Sequence, residues 1–515
     1  IRALIRLRAQ GAKVMRPVRG PLQSSGSTFD EFGYEASPTH NGLKRNNLRF
    51  FRVVAESVGI QGPTGGVVIT AAILASIAGG GTALVQVIAA VAMGFVAYAF
   101  VLFSRGFNSS GSVYGFTGAV VGPRFGFLSA IALMMVYVNF AGGVYASTAD
   151  EAQPFFATLG FHLPWQVFAL ATFLLVMAFA YLNIRFSSIL VLIFEGVSIL
   201  FVVVACIIIT VKGGYHHHAL SLAPFRAQGL KESAVALGVV YAFSVFSGFE
   251  GAATLGEESQ APKKTIPKAI MISLIVVAIY EIGVAAVIQN AFPSTRALAA
   301  SPIPLVSITD TYVTAWFGDV INLGAILSSF GAALACVIAA SRMLFALSRD
   351  GFGPRVLQRT GRSSGAPIGA LAAIGGVSLL MLMGFIWENQ ANTAVADILT
   401  YGADLIIAAY ILAVLAAFVF TIRSHAPLYR RAILIVGLAI LGYVVKETFL
   451  PLPSGAYRWD AITAAGTLIV GLVLPTLVPR LRHGIVGSKL LGIGAQSLLG
   501  VNASGHSSSE TASTP

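Results

Sequence analysis

The chain has 515 residues, 56% of them apolar and only 10% charged, against roughly 25% charged in an average soluble domain. So few charges cannot coat a water-soluble globule, which excludes an ordinary cytosolic enzyme, a disordered chain and a nucleic-acid-binding protein. The net charge of +12 then becomes a question of where the positive side chains sit relative to a bilayer.

Residues 1–53 are basic and irregular, with Arg2, Arg6, Arg8, Lys13, Arg16 and Arg19 among Gly, Ser and Pro. No apolar core with a small-residue cleavage site follows, so the reading is a cytoplasmic arm and not a secretory signal. Twelve apolar segments come next: Val54–Ile77, Ala83–Phe103, Gly126–Ser147, Pro164–Leu182, Ser188–Val211, Ala234–Leu255, Ala269–Gln289, Val320–Leu347, Ile368–Trp387, Ile398–Thr421, Ala432–Leu450 and Ala461–Leu477. Five carry no charge, six carry one and Ala432–Leu450 carries two. In hydrocarbon the backbone must satisfy its own hydrogen bonds, so each is a predicted helix. They do not alternate apolar with polar as barrel strands do. Residues 484–515 have the Gly-, Ser- and Thr-rich composition of a disordered tail. Cys206 and Cys336 both lie inside apolar segments, so no disulfide framework is indicated.

With twelve spans, 27 of the 33 Lys and Arg residues fall on the side of the N-terminus and 6 on the other. That asymmetry predicts both termini in the cytoplasm and accounts for the basic charge balance without nucleic acid.

Two segments contain helix breakers. The first carries Gly59-Ile60-Gln61-Gly62-Pro63-Thr64-Gly65-Gly66, and the sixth carries Ser244-Val245-Phe246-Ser247-Gly248-Phe249-Glu250-Gly251. Pro63 lacks a backbone donor and clashes with the preceding turn. At 1.5 Å per residue, Gly62–Gly66 and Ser244–Gly248 both fall about midway across the bilayer. The two segments open consecutive sets of five helices and run in opposite directions. Interrupted helices at corresponding positions of two halves point to a transporter binding site. Freed carbonyls suit an ammonium group and helix N-termini suit a carboxylate, so the pair suits a zwitterion.

Several stretches resemble the amino acid–polyamine–organocation permeases. Gly248-Phe249-Glu250, Glu257-Glu258, Pro262, Lys263, Ile266-Pro267 and Ala269 are similar to that superfamily's sixth-helix signature. Ser341-Arg342 and Ser348-Arg349-Asp350-Gly351 resemble the end of its eighth helix, and Asn108–Tyr114 resembles the loop before its third. The sixth-helix motif is fairly specific and the others are weaker alone; the resemblance covers residues 54 to 425.

It implies an all-α membrane protein of about twelve spans, with a five-plus-five inverted repeat of the kind first associated with the bacterial leucine transporter. The repeats are residues 54–211 and 234–422, and 430–478 form two peripheral helices. It implies amino acid transport by alternating access in the plasma membrane. The loops show no nucleophile–base pair, metal-ligand spacing or Gly-x-x-x-x-Gly-Lys stretch, so neither an enzyme nor a cofactor is expected. Substrate would sit on Ile60, Gly62, Thr64, Gly65 and Gly66 and on Ser244, Ser247 and Gly248. Phe243, Phe246 and Phe249 are candidates for an aromatic lid or wall, although a phenylalanine at such spacing is more often packing than gate.

Charges inside the membrane are costly and mark function. Glu195 lies seven residues into the fifth segment, where many proton-coupled relatives carry a Lys. A desolvated carboxyl exchanges protons near neutral pH, so Glu195 is the candidate for proton coupling; a structural hydrogen bond or a water-lined vestibule is the alternative. Glu250 is expected to cap freed amides at the sixth-helix break. Glu257 and Glu258 read as a gate-side salt network at the cytoplasmic surface near Lys263 and Lys264. Ser328 and Ser329 are weaker candidates for a sodium ion, since helix serines commonly bond a preceding carbonyl. Glu281 and Asp404 are intramembrane, with no role beyond facing the bundle interior. His216-His217-His218 has no acidic or Cys partner nearby and reads as a solvated loop. The sequons at Asn108 and Asn502 are predicted cytoplasmic and read as chance. No acid lies within the two breaks themselves, which favours a neutral amino acid. Sodium coupling, exchange and a non-transporting sensor of the same fold remain as alternatives.

Overall fold

The computed structural model describes residues 43, 48–106, 110–182, 184–227, 230–301, 303–361, 364–388, 390–450 and 457–477. Most of the basic arm, the tail, and Asn108 and Asn502 lie outside the described residues. Apart from one short bridge between Leu48 and Ser259, the described elements are helical.

The first span is two helices, α1 (Phe50–Gln61) and α2 (Pro63–Ala78), joined at Gly62 in the left-handed region. α3 (Thr82–Ser104) returns. A short α4 (Val113–Val120) precedes the long α5 (Pro123–Thr158). α6 (Trp165–Tyr181) and α7 (Ile184–Lys212) complete the first set. The second set opens with α8 (Glu232–Val245), a break at 246–248, and a tighter 3-10 turn over Phe249–Leu255. α9 (Pro262–Ala291), the short α10 (Thr295–Ala299) and α11 (Pro304–Tyr312), α12 (Ala315–Leu347), α13 (Ile368–Gly384) and α14 (Ala391–Arg423) follow. α15 (Leu428–Phe449) and α16 (Tyr457–Leu477) come last.

Among the described residues nine helices are long and apolar enough to cross a bilayer, or ten when the bent first pair is one span. The apolar helices α6 and α13, of 17 residues each, stand where the fourth and ninth segments are expected and are near the lower limit for a span. The surface carries the mark of a lipid solvent: Leu200 and Ile207 on α7 and Ile469 on α16 are 59%, 57% and 62% exposed, in contiguous apolar faces that a soluble monomer does not offer to water.

The two broken spans pack against each other through α1 and the 249–255 turn, α3 packs against α9, α5 against α12, and α6 against α13. Each of these pairs joins a span to the one five places later, while α5 also packs against α14 and α7 against α12. α15 leans on α14 and α3, and α16 on α14 and α5, so both are peripheral to the bundle.

The breaks differ from expectation in extent. The first is a single residue, Gly62, and not the whole Gly62–Gly66 stretch, because Pro63 sits at the first helical position. There its missing N–H is not needed and its fixed φ suits a new helix. The 67° bend of this span lies further along, between 50–68 and 70–78, and not at Gly62. In the sixth span helix persists through Ser244 and Val245, and the interruption lies at 246–248.

Candidate functional site

The two breaks meet. Gln61 Nε2 donates to the Phe246 carbonyl at 3.2 Å. The Ser57 hydroxyl donates to the Phe249 carbonyl at 2.7 Å and accepts from the Ala252 N–H at 2.9 Å. Carbonyls and amides freed by one interruption are thus partly taken up by side chains of the other, as buried backbone groups require. Gly248 has φ +109, and a Cβ there would lie 2.7 Å from Ile60 Cγ2 and 3.0 Å from the Gln61 nitrogen. Only glycine permits both that conformation and that approach.

Glu250 holds the second break. It accepts from the Gly248 N–H at 3.1 Å and from the hydroxyls of Tyr137 on α5 and Tyr410 on α14 at 3.0 and 2.8 Å. Phe243, Phe246 and Phe249 are all buried. Phe249 makes an edge contact with Phe100 and Phe243 one with Tyr410, which places these rings in the core packing behind the break. The Ser247 hydroxyl turns back on the Ser244 carbonyl at 2.6 Å.

Around the first break the structure gathers carboxyls. The Gly65 N–H donates to Ser328 Oγ at 3.2 Å, and the Ser328 hydroxyl donates to Glu195, 3.0 Å from both carboxylate oxygens. The neighbouring Ser329 hydroxyl donates to Glu151 on α5 at 3.0 Å. A Cβ on Gly65 would lie 2.5 Å from Ser329 Oγ, so α2 rests on this serine pair only because Gly65 has no side chain. A Cβ on Gly66 would begin 3.3 Å from Glu281 Oε1, and the Thr64 hydroxyl lies 3.1 Å from that of Tyr280. Glu151, Glu195 and Glu281 are 4%, 2% and 1% exposed. Among the described residues none of them has a basic partner within 4 Å. The serines therefore bond carboxyls in place of the preceding carbonyls the sequence suggested.

At the opposite end of the same spans the three motif stretches converge. Arg349 grips Glu257 with two hydrogen bonds of 2.7 Å, and Ser110 adds its N–H at 3.1 Å and its hydroxyl at 2.8 Å. Burial raises the Glu257 carboxyl, but Arg349 and Ser110 outweigh it and hold the group down to about 2. Tyr114 donates to Asp350 at 2.9 Å. Arg342 forms a buried ion pair with Glu258, beside the buried Glu56 of α1. Leu48 is tied to the same loop by its N–H to the Glu258 carbonyl and by the Gln260 N–H to its own carbonyl, both at 2.9 Å.

Two singled-out features lie elsewhere. Asp404 lines a cavity of about 380 Å³ between α14, α15 and α16, away from the breaks. His216, His217 and His218 are exposed on the loop after α7.

Glu151 was not legible as a site residue because the third segment ends at Ser147 when read by hydropathy, whereas α5 runs on to Thr158. The signal was present: no Gly or Pro separates Ser147 from Glu151, so the helix had no reason to stop. Tyr137, Tyr280 and Tyr410 carried no signal, since a polar group in an apolar segment does not reveal which neighbour it faces.

Two interrupted spans abutting inside an all-helical membrane bundle define the class of multi-pass transporters built from inverted repeats. Residues 50–474 match the amino acid permease family, and the chain belongs to it. It is 28% identical over 324 residues to the branched-chain amino acid permease of Bacillus subtilis, covering 59% of this chain and 67% of that protein. The corresponding permease of Lactococcus lactis is 28% identical over 303 residues, 55% of this chain and 64% of that protein. A methylthioribose transporter of Bacillus subtilis is 25% identical over 343 residues, 62% and 71%. The matched stretches thus span about two thirds of these relatives' lengths.

Proposed function

We propose that the protein is a secondary active amino acid transporter of the plasma membrane, working by alternating access and taking up a neutral amino acid with protons. Both termini are cytoplasmic in this reading. The observation that carries it is the meeting of the two breaks at Gln61 and Phe246, beside carboxyls without basic partners. The substrate's main-chain groups dock on Ile60, Gly62, Thr64, Gly65 and Gly66 and on Ser244, Ser247 and Gly248, where helix ends offer both signs of partial charge. Phe243 and Phe246 close the site from behind.

Glu195 is the proton carrier. An ionised carboxylate buried without a counter-ion costs several kcal/mol, so a proton or another cation accompanies it through the cycle. It reaches the substrate cradle through Ser328 and the Gly65 N–H. Glu257, Glu258, Arg342 and Arg349 form the cytoplasmic gate, which must part for release inward, and Glu250 keeps the sixth-span break in shape. Relatives named for branched-chain amino acids and for methylthioribose support an uncharged or zwitterionic substrate. A cationic amino acid is the second reading, favoured by Glu281, whose Oε2 has no partner beside Gly66.

The test is uptake into proteoliposomes. Labelled leucine should accumulate when the outside is acidified and stop accumulating with a protonophore, and an imposed sodium gradient should not replace the proton gradient. Competition by arginine or lysine but not by valine would favour the second reading. Binding without accumulation under either gradient would make the protein a sensor and overturn the proposal.

A further inference from the structure

We propose that Glu151 is a second proton-coupling residue, forming with Glu195 a two-carboxyl proton site joined by Ser328 and Ser329. The inference rests on the proton-coupled reading above and adds to it a residue on a different helix. Ser328 and Ser329 are consecutive on α12, yet each donates its single hydroxyl proton to a different carboxyl: Glu195 of α7 and Glu151 of α5. Both acids are more than nine-tenths buried. Among the described residues Glu151 Oε2 has no hydrogen-bond partner. Its Oε1 is met by Ser329, and by Ser147 only at 3.5 Å. An unpartnered carboxyl oxygen inside a membrane bundle is costly as a charged group, and it is the oxygen onto which a proton can be placed without breaking an existing bond.

Among the described residues the surroundings supply no counter-charge. The titratable groups facing the pair are Asp150, next to Glu151 on α5, and Tyr280 of α9, whose hydroxyl meets Thr64; Glu281, also of α9, lies beyond at Gly66. From α12 come the two serines and Asn322, whose Nδ2 donates to the Glu151 main-chain carbonyl at 3.2 Å; none of the three carries a charge. Two carboxylates at one serine pair repel one another in a low-dielectric interior, so the pair favours states holding at least one proton. A second proton enters from the outer side and leaves to the inner side during the cycle.

The coupling route is short. While Glu195 is ionised it draws the Ser328 O–H, which fixes the hydroxyl's lone pairs toward the Gly65 N–H of the broken span. Protonation of the pair removes that pull and lets the hydroxyl turn. The bent first span is thereby held in one setting and released in the other. Ser329, against which Gly65 is closely seated, passes the state of Glu151 to the same point.

The experiment compares wild type, Glu151→Gln, Glu151→Asp and Ser329→Ala in proteoliposomes. It measures accumulation driven by an acid-outside pH jump, and counterflow of labelled substrate with no gradient imposed. Glu151→Gln should lose accumulation on the order of tenfold while counterflow stays near wild type, because exchange needs no net proton movement. Glu151→Asp should recover part of the accumulation. Ser329→Ala, which keeps the carboxyl but cuts its link to the pair, should shift the external-pH profile of uptake. Should Glu151→Gln fail to fold, the aspartate and Ser329 variants decide. Accumulation by Glu151→Gln at the wild-type level, or loss of counterflow and accumulation together in a folded variant, overturns the role of Glu151. Wild type that ignores the pH jump overturns the proton-coupled reading itself, so the two failures are distinguishable.

Discussion

Single residues in this protein are read best through what neutralises them. Glu257 and Glu258 are adjacent in sequence yet pair with different arginines on or just after α12: Glu257 with Arg349 at the surface and Glu258 with Arg342 in the interior. A buried pair of the second kind is weak evidence for stability in itself, but removing one partner leaves a charge stranded. Glu257 makes a pH prediction. Its carboxyl is held down to about 2 in the folded protein against 4.5 for the free group. Its contribution to stability is therefore fully present above pH 4.5 and is lost as pH falls through about 2. The thermal stability of purified wild type should drop more steeply than that of Glu257→Gln between pH 4.5 and 2. Parallel curves would show that the ion pair contributes nothing to folding.

At the scale of elements, the two broken spans are specified by different means. The first is set by local chemistry: Gly62 takes the left-handed conformation and Pro63 restarts the helix at once. The second depends on a distant carboxyl, since Glu250 bonds the Gly248 N–H and is itself held by tyrosines of α5 and α14. Gly248 is the point where both constraints apply. Gly248→Ala puts a Cβ at positive φ and within 2.7 Å of Ile60. Strain of about 1–3 kcal/mol is expected, together with loss of uptake, because Ile60 must move and the two breaks no longer abut. Melting temperature and leucine uptake measured on the same preparation check this; an alanine variant with wild-type values for both would show that the approach of the breaks is dispensable.

For the whole molecule the question is orientation. The distribution of Lys and Arg predicts cytoplasmic termini, the loop after α7 outside, and the loop between α14 and α15 inside. With Cys206 and Cys336 replaced by Ser, Ala219→Cys and Ser424→Cys place single thiols at exposed positions of those two loops. A membrane-impermeant maleimide applied to intact cells should label position 219 and leave 424 unlabelled until the membrane is opened. The reverse pattern would invert the topology and with it the direction of every step proposed above.

Much of this architecture was written in the order of residues. Runs of apolar side chains about as long as a bilayer is thick must become helices, because hydrocarbon offers no other hydrogen-bond partner. Gly and Pro at Gly62-Pro63 and Gly248 mark where that rule is relaxed. The sequence also indicated Glu195 and Glu250, as charges where charges are expensive. It did not disclose that Glu195 meets Ser328, 133 residues away, or that Glu151 meets Ser329, 178 residues away. Nor did it show that carboxyls from three other helices surround a break that contains no acid of its own. Helical periodicity tells which residues share a face, and a span buried on all sides has no face to read. Which groups come together in the bundle is decided only when the helices pack, and the charge balance of the candidate site is set there.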